Sequence, residues 1–195
     1  MIFRLSQKVA AKIKEPNLQT MPPDMDPFAD WHVGMFIHER LQYLIFVNSA
    51  SLFTVVLRGA GVKDFELLYI SFRSVMLDVL KEAGAPHLFD RIFNTENRSI
   101  TPAKATDRHL IGSMNDQVKM AKYDLDEDMP IGDIITRLNK VPMRRLKEYY
   151  IPRIAFMNLE EGGALTLPPA AERNPVPEAP GIKGRHLRLW TPEEG

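Results

Sequence analysis

The hydrophobic pattern of the N-terminal third of the chain predicts a β-sheet. Apolar and polar residues alternate over Trp31–His38, which is the period of a half-buried strand. Leu41–Val47 is almost wholly apolar, as in a central strand covered on both faces, and Leu52–Leu57 is rich in β-branched residues. Because no helical segment separates these three runs, we expect them to pair antiparallel. Met1–Leu5 is predicted to be a further short strand.

Two long helices are predicted by apolar residues that recur every three or four positions. The first spans about Asp64–Ala83, with Phe72 at the centre of its apolar stripe. The second spans about His109–Asp124, with Thr106 or Asp107 as its N-cap. Shorter elements are predicted too: helices at 6–14, 88–93 and 131–139, and an edge strand at 98–103. The pattern therefore predicts an α+β fold, a mainly antiparallel sheet with two long helices packed on it.

The composition changes near residue 159, and this predicts the domain organisation. Residues 1–158 have the apolar content of one globular domain. Residues 159–195 are rich in proline and glycine, which leaves little apolar surface to bury against the entropy of ordering. We therefore expect a single α+β domain at 1–158 followed by a flexible tail at 159–195.

Charge and cysteine content exclude several classes of protein. The 25 basic and 25 acidic residues cancel, which argues against a general binder of nucleic acid or of membrane surfaces. The chain has no cysteine, so disulfides, thiolate metal sites and a cysteine nucleophile are excluded. We also expect no membrane association, because no apolar run is long enough to span a bilayer. These features together predict a cytoplasmic protein.

No cofactor or metal site is predicted. The phosphate-binding and nucleophile motifs G-x-x-x-x-G-K, G-x-S-x-G and S-x-x-K are missing. His32 and His38 fall on one face of the same predicted strand, but about 20 Å apart at roughly 3.3 Å per residue. One metal ion cannot bind both of them on a straight strand.

Residues 107–116 are the first candidate ligand-binding segment, because they place many polar side chains in the first turns of the second long helix. The candidate ligand-binding residues are Arg108, Ser113, Asn115 and Asp116. Arg108 could hold an anion, Asn115 could donate and accept hydrogen bonds, and Asp116 could accept a proton or fix Arg108. A ligand or another backbone could approach at Gly112. The alternative is a capped structural helix, which for Asn115 implies a buried, paired amide.

This segment resembles the signature N-R-S-x-x-G-S-M-N-D of a family of small, uncharacterised bacterial proteins, a domain-of-unknown-function family. The start Met1–Lys8, Phe28–Trp31, Gln42–Asn48 and Arg137–Met143 resemble the same family, so the similarity covers about residues 1–158. Asp107 and His109 stand where the signature has Asn and Ser. The resemblance implies no known activity.

Residues 140–153 form a second candidate site, a nucleic-acid interface. The residues expected to make nucleic-acid contacts are Arg144, Arg145, Lys147 and Tyr149. Basic residues interleaved with tyrosines can contact phosphates and stack on bases. The alternative is a helix end with packed tyrosines and solvated arginines.

Three functional hypotheses follow. The leading one is a non-catalytic interaction or regulatory module of a bacterial cytoplasmic protein, with a protein as its possible partner. A nucleic-acid-associated protein would use residues 140–153. A hydrolase or transferase would use residues 107–116.

Overall fold

The computed structural model describes residues 1–93, 99–146 and 150–159, and in this part of the chain it confirms the α+β fold. Five strands form one sheet in the order β4-β3-β2-β1-β5. The strands are β1 (Ile2–Leu5), β2 (Asp30–His38), β3 (Leu41–Asn48), β4 (Thr54–Arg58) and β5 (Thr101–Lys104). The helices are α1 (Gln7–Ile13), α2 (Phe65–Glu82), α3 (His87–Phe93), α4 (Arg108–Asp126), α5 (Ile131–Leu138) and α6 (Pro152–Met157).

The sheet combines antiparallel and parallel pairs. Strands β2, β3 and β4 form the antiparallel meander expected from the sequence. Strand β1 instead pairs parallel with both β2 and β5. The chain between β1 and β2 contains α1 and a proline-rich connection, which is long enough for the crossover that parallel pairing needs. Strand β5, which contains Pro102, lies at the sheet edge as predicted.

Helix α2 covers one face of the sheet and places Phe72 at the centre of the aromatic core. Phe72 is fully buried, as its place in the apolar stripe predicts. Its ring centroid lies 5.2 Å from that of Phe3, 4.9 Å from that of Trp31 and 4.7 Å from that of Phe46. Rings at these separations interact favourably in addition to the area they bury. Asp64 is the N-cap of this helix, and its side chain accepts a hydrogen bond from the Leu67 backbone N–H.

Helix α4 packs on the opposite face, where it crosses β2 at Gly34. Side chains alternate along a strand, so Gly34 and Trp31 face opposite sides of the sheet. A Cβ atom on Gly34 would lie 2.9 Å from the Met114 side chain and 3.1 Å from that of Ile45. A side chain at position 34 would therefore require the end of the Met114 side chain and the Ile45 side chain to shift.

At the outer edge of β4, where no described strand pairs, a side chain bonds to the backbone of Thr54. The amide of Asn139, just after α5, accepts from the Thr54 backbone N–H at 2.8 Å and donates to the Thr54 carbonyl at 2.7 Å. This copies the pairing of a neighbouring strand. Helix α6, which the hydrophobic pattern did not predict, follows and buries Phe156 against Phe53 at 4.3 Å between ring centroids.

The predicted tail at 159–195 lies outside the described residues, except for Leu159. Among the described helices, none has the length and apolar character that a membrane crossing requires.

Candidate functional site

A groove of about 1030 Å³ opens where β1 and β5 end and β2 continues. Its walls are the start of α1 and one side of α4, and its base is the protruding part of β2. Much of the lining is apolar: Leu5, Ala10, Ala11, Pro16, Leu18, Met35, Phe36, Ile37, Ile45, Ile111, Met114 and Val118. A volume of this size is at the upper end of the range of small-molecule sites and can hold a short peptide segment.

Lysines supply the charge of the groove. Lys8 on α1, Lys104 at the end of β5 and Lys122 on α4 line it, and none of the described lining residues is acidic. Lys8 and Lys104 are exposed and Lys122 is half-buried. None of the three forms an ion pair with a carboxylate in the part of the chain that the structure describes. The groove therefore favours a ligand that is both anionic and partly apolar.

The structure divides the ligand-binding residues predicted on α4. Asn115 is exposed and lines the groove, whereas Arg108, Ser113 and Asp116 do not. The Ser113 hydroxyl donates to the His109 carbonyl at 3.3 Å. Asp116 pairs with Lys119 at 3.0 Å and forms no described bond to Arg108. The four candidate side chains thus point in different directions from the helix and do not surround one cavity.

One structural interpretation of this helix is wrong. The alternative of a capped structural helix required a buried, paired amide at Asn115, but that side chain is exposed on the rim of the groove. Gly112 was predicted to allow the approach of a ligand or another backbone; no described residue comes within 4 Å of a Cβ atom placed there, so the approach of a ligand stays a prediction. The close approach occurs at Gly34 instead, where the helix crosses the sheet.

The basic segment 140–153 does not present a continuous set of free charges in the described residues. Arg145 forms two hydrogen bonds to the N-cap Asp107, the shorter at 2.7 Å. Burial raises the pKa of Asp107, but these bonds and the backbone N–H groups of α4 outweigh it and lower the pKa to about 2. Arg144 is exposed. Lys147 and Tyr149 lie outside the described residues, so the predicted nucleic-acid interface stays a prediction.

A buried polar network lies on the α4 face of the sheet, and sequence reasoning did not identify it. Arg4 of β1 and Asp30 of β2 form a two-bond ion pair, with both N···O distances 2.7 Å. Arg4 also donates to the carbonyls of Met21 and Pro22. Burial raises the pKa of Asp30, but hydrogen bonds from Arg4, Ser49 and the Asp24 N–H outweigh it and hold the pKa below the ordinary 3.8.

His32 joins this network through Ser49. The Ser49 hydroxyl donates to Asp30 at 2.7 Å, so the 3.0 Å contact with His32 requires the Nδ1–H of His32 to donate. The His32 Nε2 atom is then a buried acceptor without a partner among the described residues. Burial, reinforced by Arg4 and opposed by Asp30, lowers the pKa of His32 from 6.5 to about 4. His32 is therefore neutral at pH 7.

The network has the character of a structural brace. Its hydrogen bonds join β1, β2, the loop that follows β3 and the connection at 21–24. The sequence signal was present, since Arg4, Asp30 and His32 interrupt strands that are otherwise apolar. Among the described residues, no three His, Asp or Glu side chains come together in a way that could hold a metal ion.

Comparison with known proteins gives a family and no function. Neither the curated proteins nor the solved structures contain a match to this chain. The family model described as "Domain of unknown function (DUF6933)" matches residues 2–155, which include the whole sheet, the groove and the polar network. The chain therefore belongs to the DUF6933 family.

Proposed function

We propose that the domain is a non-catalytic interaction module whose groove binds an anionic, partly apolar segment of a protein partner. The observation that carries the proposal is the groove itself, whose described lining combines apolar side chains with three lysines and contains no carboxylate. A partner's carboxylates would pair with the lysines while its apolar side chains fill the lining. The resemblance to bacterial proteins and the absence of cysteine support the bacterial cytoplasm as its location.

The geometry favours binding over catalysis. A hydrolase or transferase built on α4 would need Arg108, Asn115 and Asp116 around one reacting atom. Of these three, only Asn115 lines the groove, and Asp116 is paired with Lys119 on the outer surface. The titratable group with the most clearly perturbed environment, His32, is buried in the polar network and does not line the groove.

The groove can be tested with a fluorescent probe of the same chemistry, 8-anilinonaphthalene-1-sulfonate, which joins an anionic group to apolar rings. We expect the full chain to bind it at neutral pH with a stoichiometry of one. The double variant Lys8→Glu/Lys122→Glu should bind about tenfold more weakly, because two attractions become repulsions.

The matched control is Lys63→Glu, which reverses an exposed lysine outside the groove. It should bind the probe as tightly as the unaltered chain. Equal affinity of all three proteins for the probe would contradict the proposal. Melting curves of each variant must show that the fold is retained, since the probe also binds partly unfolded proteins.

A further inference from the structure

The base of the groove is a length of sheet edge that pairs with no strand of the described residues. Strand β1 ends at Leu5, which is paired with Val33, whereas β2 continues to His38. The bond from the Ser6 N–H to the Val33 carbonyl, 2.9 Å long, closes the parallel ladder, and the chain then turns into α1. The last part of β2 therefore extends beyond its partner.

The backbone groups of Met35 and Ile37 point to this open edge. Along a strand, the N–H and C=O groups of successive residues point to alternate sides. The Val33 carbonyl points to β1, so the groups of Met35 and Ile37 do as well. No backbone or side-chain hydrogen bond to these groups occurs on that side in the described part of the chain.

The groove runs along this edge and is not confined to one face of the sheet. Gly34, Met35, Phe36 and Ile37 all line it, although their side chains alternate between the two faces. Ile37 is 54% exposed. The edge between the end of β1 and the end of β2 is about four residues long, roughly 13 Å at 3.3 Å per residue.

Positive charge lies on both sides of the edge. Lys12 of α1 bonds to Gln42, which is paired with Ile37, so α1 and Lys8 lie on one side of the sheet. Helix α4 and its Lys122 lie on the other side, where Met114 contacts Gly34. Successive side chains of a strand added at the edge would thus turn toward one lysine and then toward the other.

We propose that the partner segment binds as an added β-strand: an extended, acidic peptide that pairs with the backbone of Met35 and Ile37 and continues the position of β1 in the sheet. This proposal rests on the proposed function and specifies how the groove is used. Backbone pairing at an open edge supplies affinity, and the side chains that alternate between the two walls supply specificity. The lysines select carboxylates on both faces of the incoming strand.

The first test uses capped peptides with the full chain. The probe is Glu-Glu-Val-Val-Glu-Glu, and the charge control is Lys-Lys-Val-Val-Lys-Lys. Two further acidic peptides carry N-methyl groups on alternate amides, one on the odd set and one on the even set. Only one set can face β2, so we expect one methylated peptide to bind about tenfold more weakly and the other to retain its affinity.

The second test alters the edge itself. Ile37→Pro removes the N–H that faces the groove and leaves the β3 pairing intact, because the N–H of residue 37 does not point to β3. Ile37→Ala removes more of the side chain than the proline substitution does, but it keeps the N–H. We expect the proline variant to bind the acidic peptide about tenfold more weakly than the alanine variant. If the proline variant does not fold, the two methylated peptides decide the question alone.

The outcomes separate the two proposals. If the acidic peptide binds equally well with either methylation pattern, strand addition is overturned and the groove remains an anion-selective site. Equal affinity for the acidic and the basic peptide would overturn both proposals.

Hydrogen exchange of the backbone amides is a third test. Slow exchange at Met35 and Ile37 in the free chain would overturn the peptide as occupant, because the chain itself, through residues 160–195 or a second copy, would then occupy the edge. Slow exchange that appears only with the acidic peptide supports the proposal.

Discussion

Residues 107–116 are contiguous in the sequence, yet most of their polar groups end on the outer surface of α4. The residues of the buried network, Arg4, Asp30, His32 and Ser49, lie far apart in the sequence, yet they form one continuous set of hydrogen bonds. Both regions belong to the same face of the sheet. They differ in the type of element that carries them.

A helix and a sheet distribute side chains differently. Neighbouring positions on a helix point about 100° apart, so a compact polar run is spread around the axis. Parallel strands in register place one residue of each strand side by side, as Arg4 of β1 lies beside His32 of β2. A single polar residue that interrupts an apolar strand therefore indicates a buried network more reliably than a dense polar run on one exposed helix indicates a binding site.

The largest expected effect is from Asp30→Ala, which removes the centre of the buried network. Arg4 would then be a buried cation without its partner, because its side chain is only 7% exposed. We expect the free energy of unfolding to fall by roughly 3–5 kcal/mol. Urea denaturation of the variant and of the unaltered chain measures the loss.

The matched control for Asp30→Ala replaces both partners with apolar residues, Arg4→Met/Asp30→Leu. A buried ion pair replaced in this way often costs little, so the double variant should recover at least half of the loss. A single variant that loses less than about 1 kcal/mol would show that the network is not a brace.

Protonation of His32 should lower the stability of the fold at acid pH, over a range above that of Asp30. The unfolded chain binds a proton at His32 below pH 6.5, whereas the folded chain resists it until about pH 4. Stability is therefore lost as the pH falls from 6.5 to 4, by up to on the order of 3 kcal/mol. Asp30 has a folded pKa below its ordinary value, so its own contribution is lost only as the pH falls below 3.8.

Unfolding free energies at pH 7, 5.5 and 4.5 check the expectation for His32. The control is His32→Gln, which keeps a polar side chain but does not titrate. Its stability should change less over this range than that of the unaltered chain. Parallel losses in the two proteins would assign the acid sensitivity to other groups.

Most elements of the fold and the antiparallel meander of β2, β3 and β4 were predictable from the sequence, whereas α6 and the parallel pairing of β1 were not. Helix α2 is within one residue of its predicted start and end, since its apolar stripe and Asp64 N-cap are local features. The parallel pairing of β1 depends on which strand it meets after the crossover, and no local pattern records that. The groove exists because β2 is longer than the neighbouring β1, a relation between two strands that appears only once they are paired.

Substitutions of Asp107 test its structural role at the start of α4. Its carboxylate caps α4 through the N–H groups of His109 and Leu110 and pairs with Arg145. Asp107→Ala should lower the free energy of unfolding by roughly 1–2 kcal/mol, mainly through the lost cap. Asp107→Asn keeps the cap and removes the ion pair, which is partly exposed, so it should cost less than about 1 kcal/mol. A larger loss for Asn than for Ala would contradict this assignment.

The smallest effects are expected for Arg108→Ala and Asn115→Ala. Both side chains are exposed, and neither forms a hydrogen bond or ion pair that the described residues provide. Each substitution should change the free energy of unfolding by less than about 0.5 kcal/mol. Two losses above 1 kcal/mol would show that the segment is a structural network after all.

If stability is unchanged, binding of the acidic peptide separates the two residues. Asn115→Ala should weaken binding because Asn115 lines the groove, and Arg108→Ala should not.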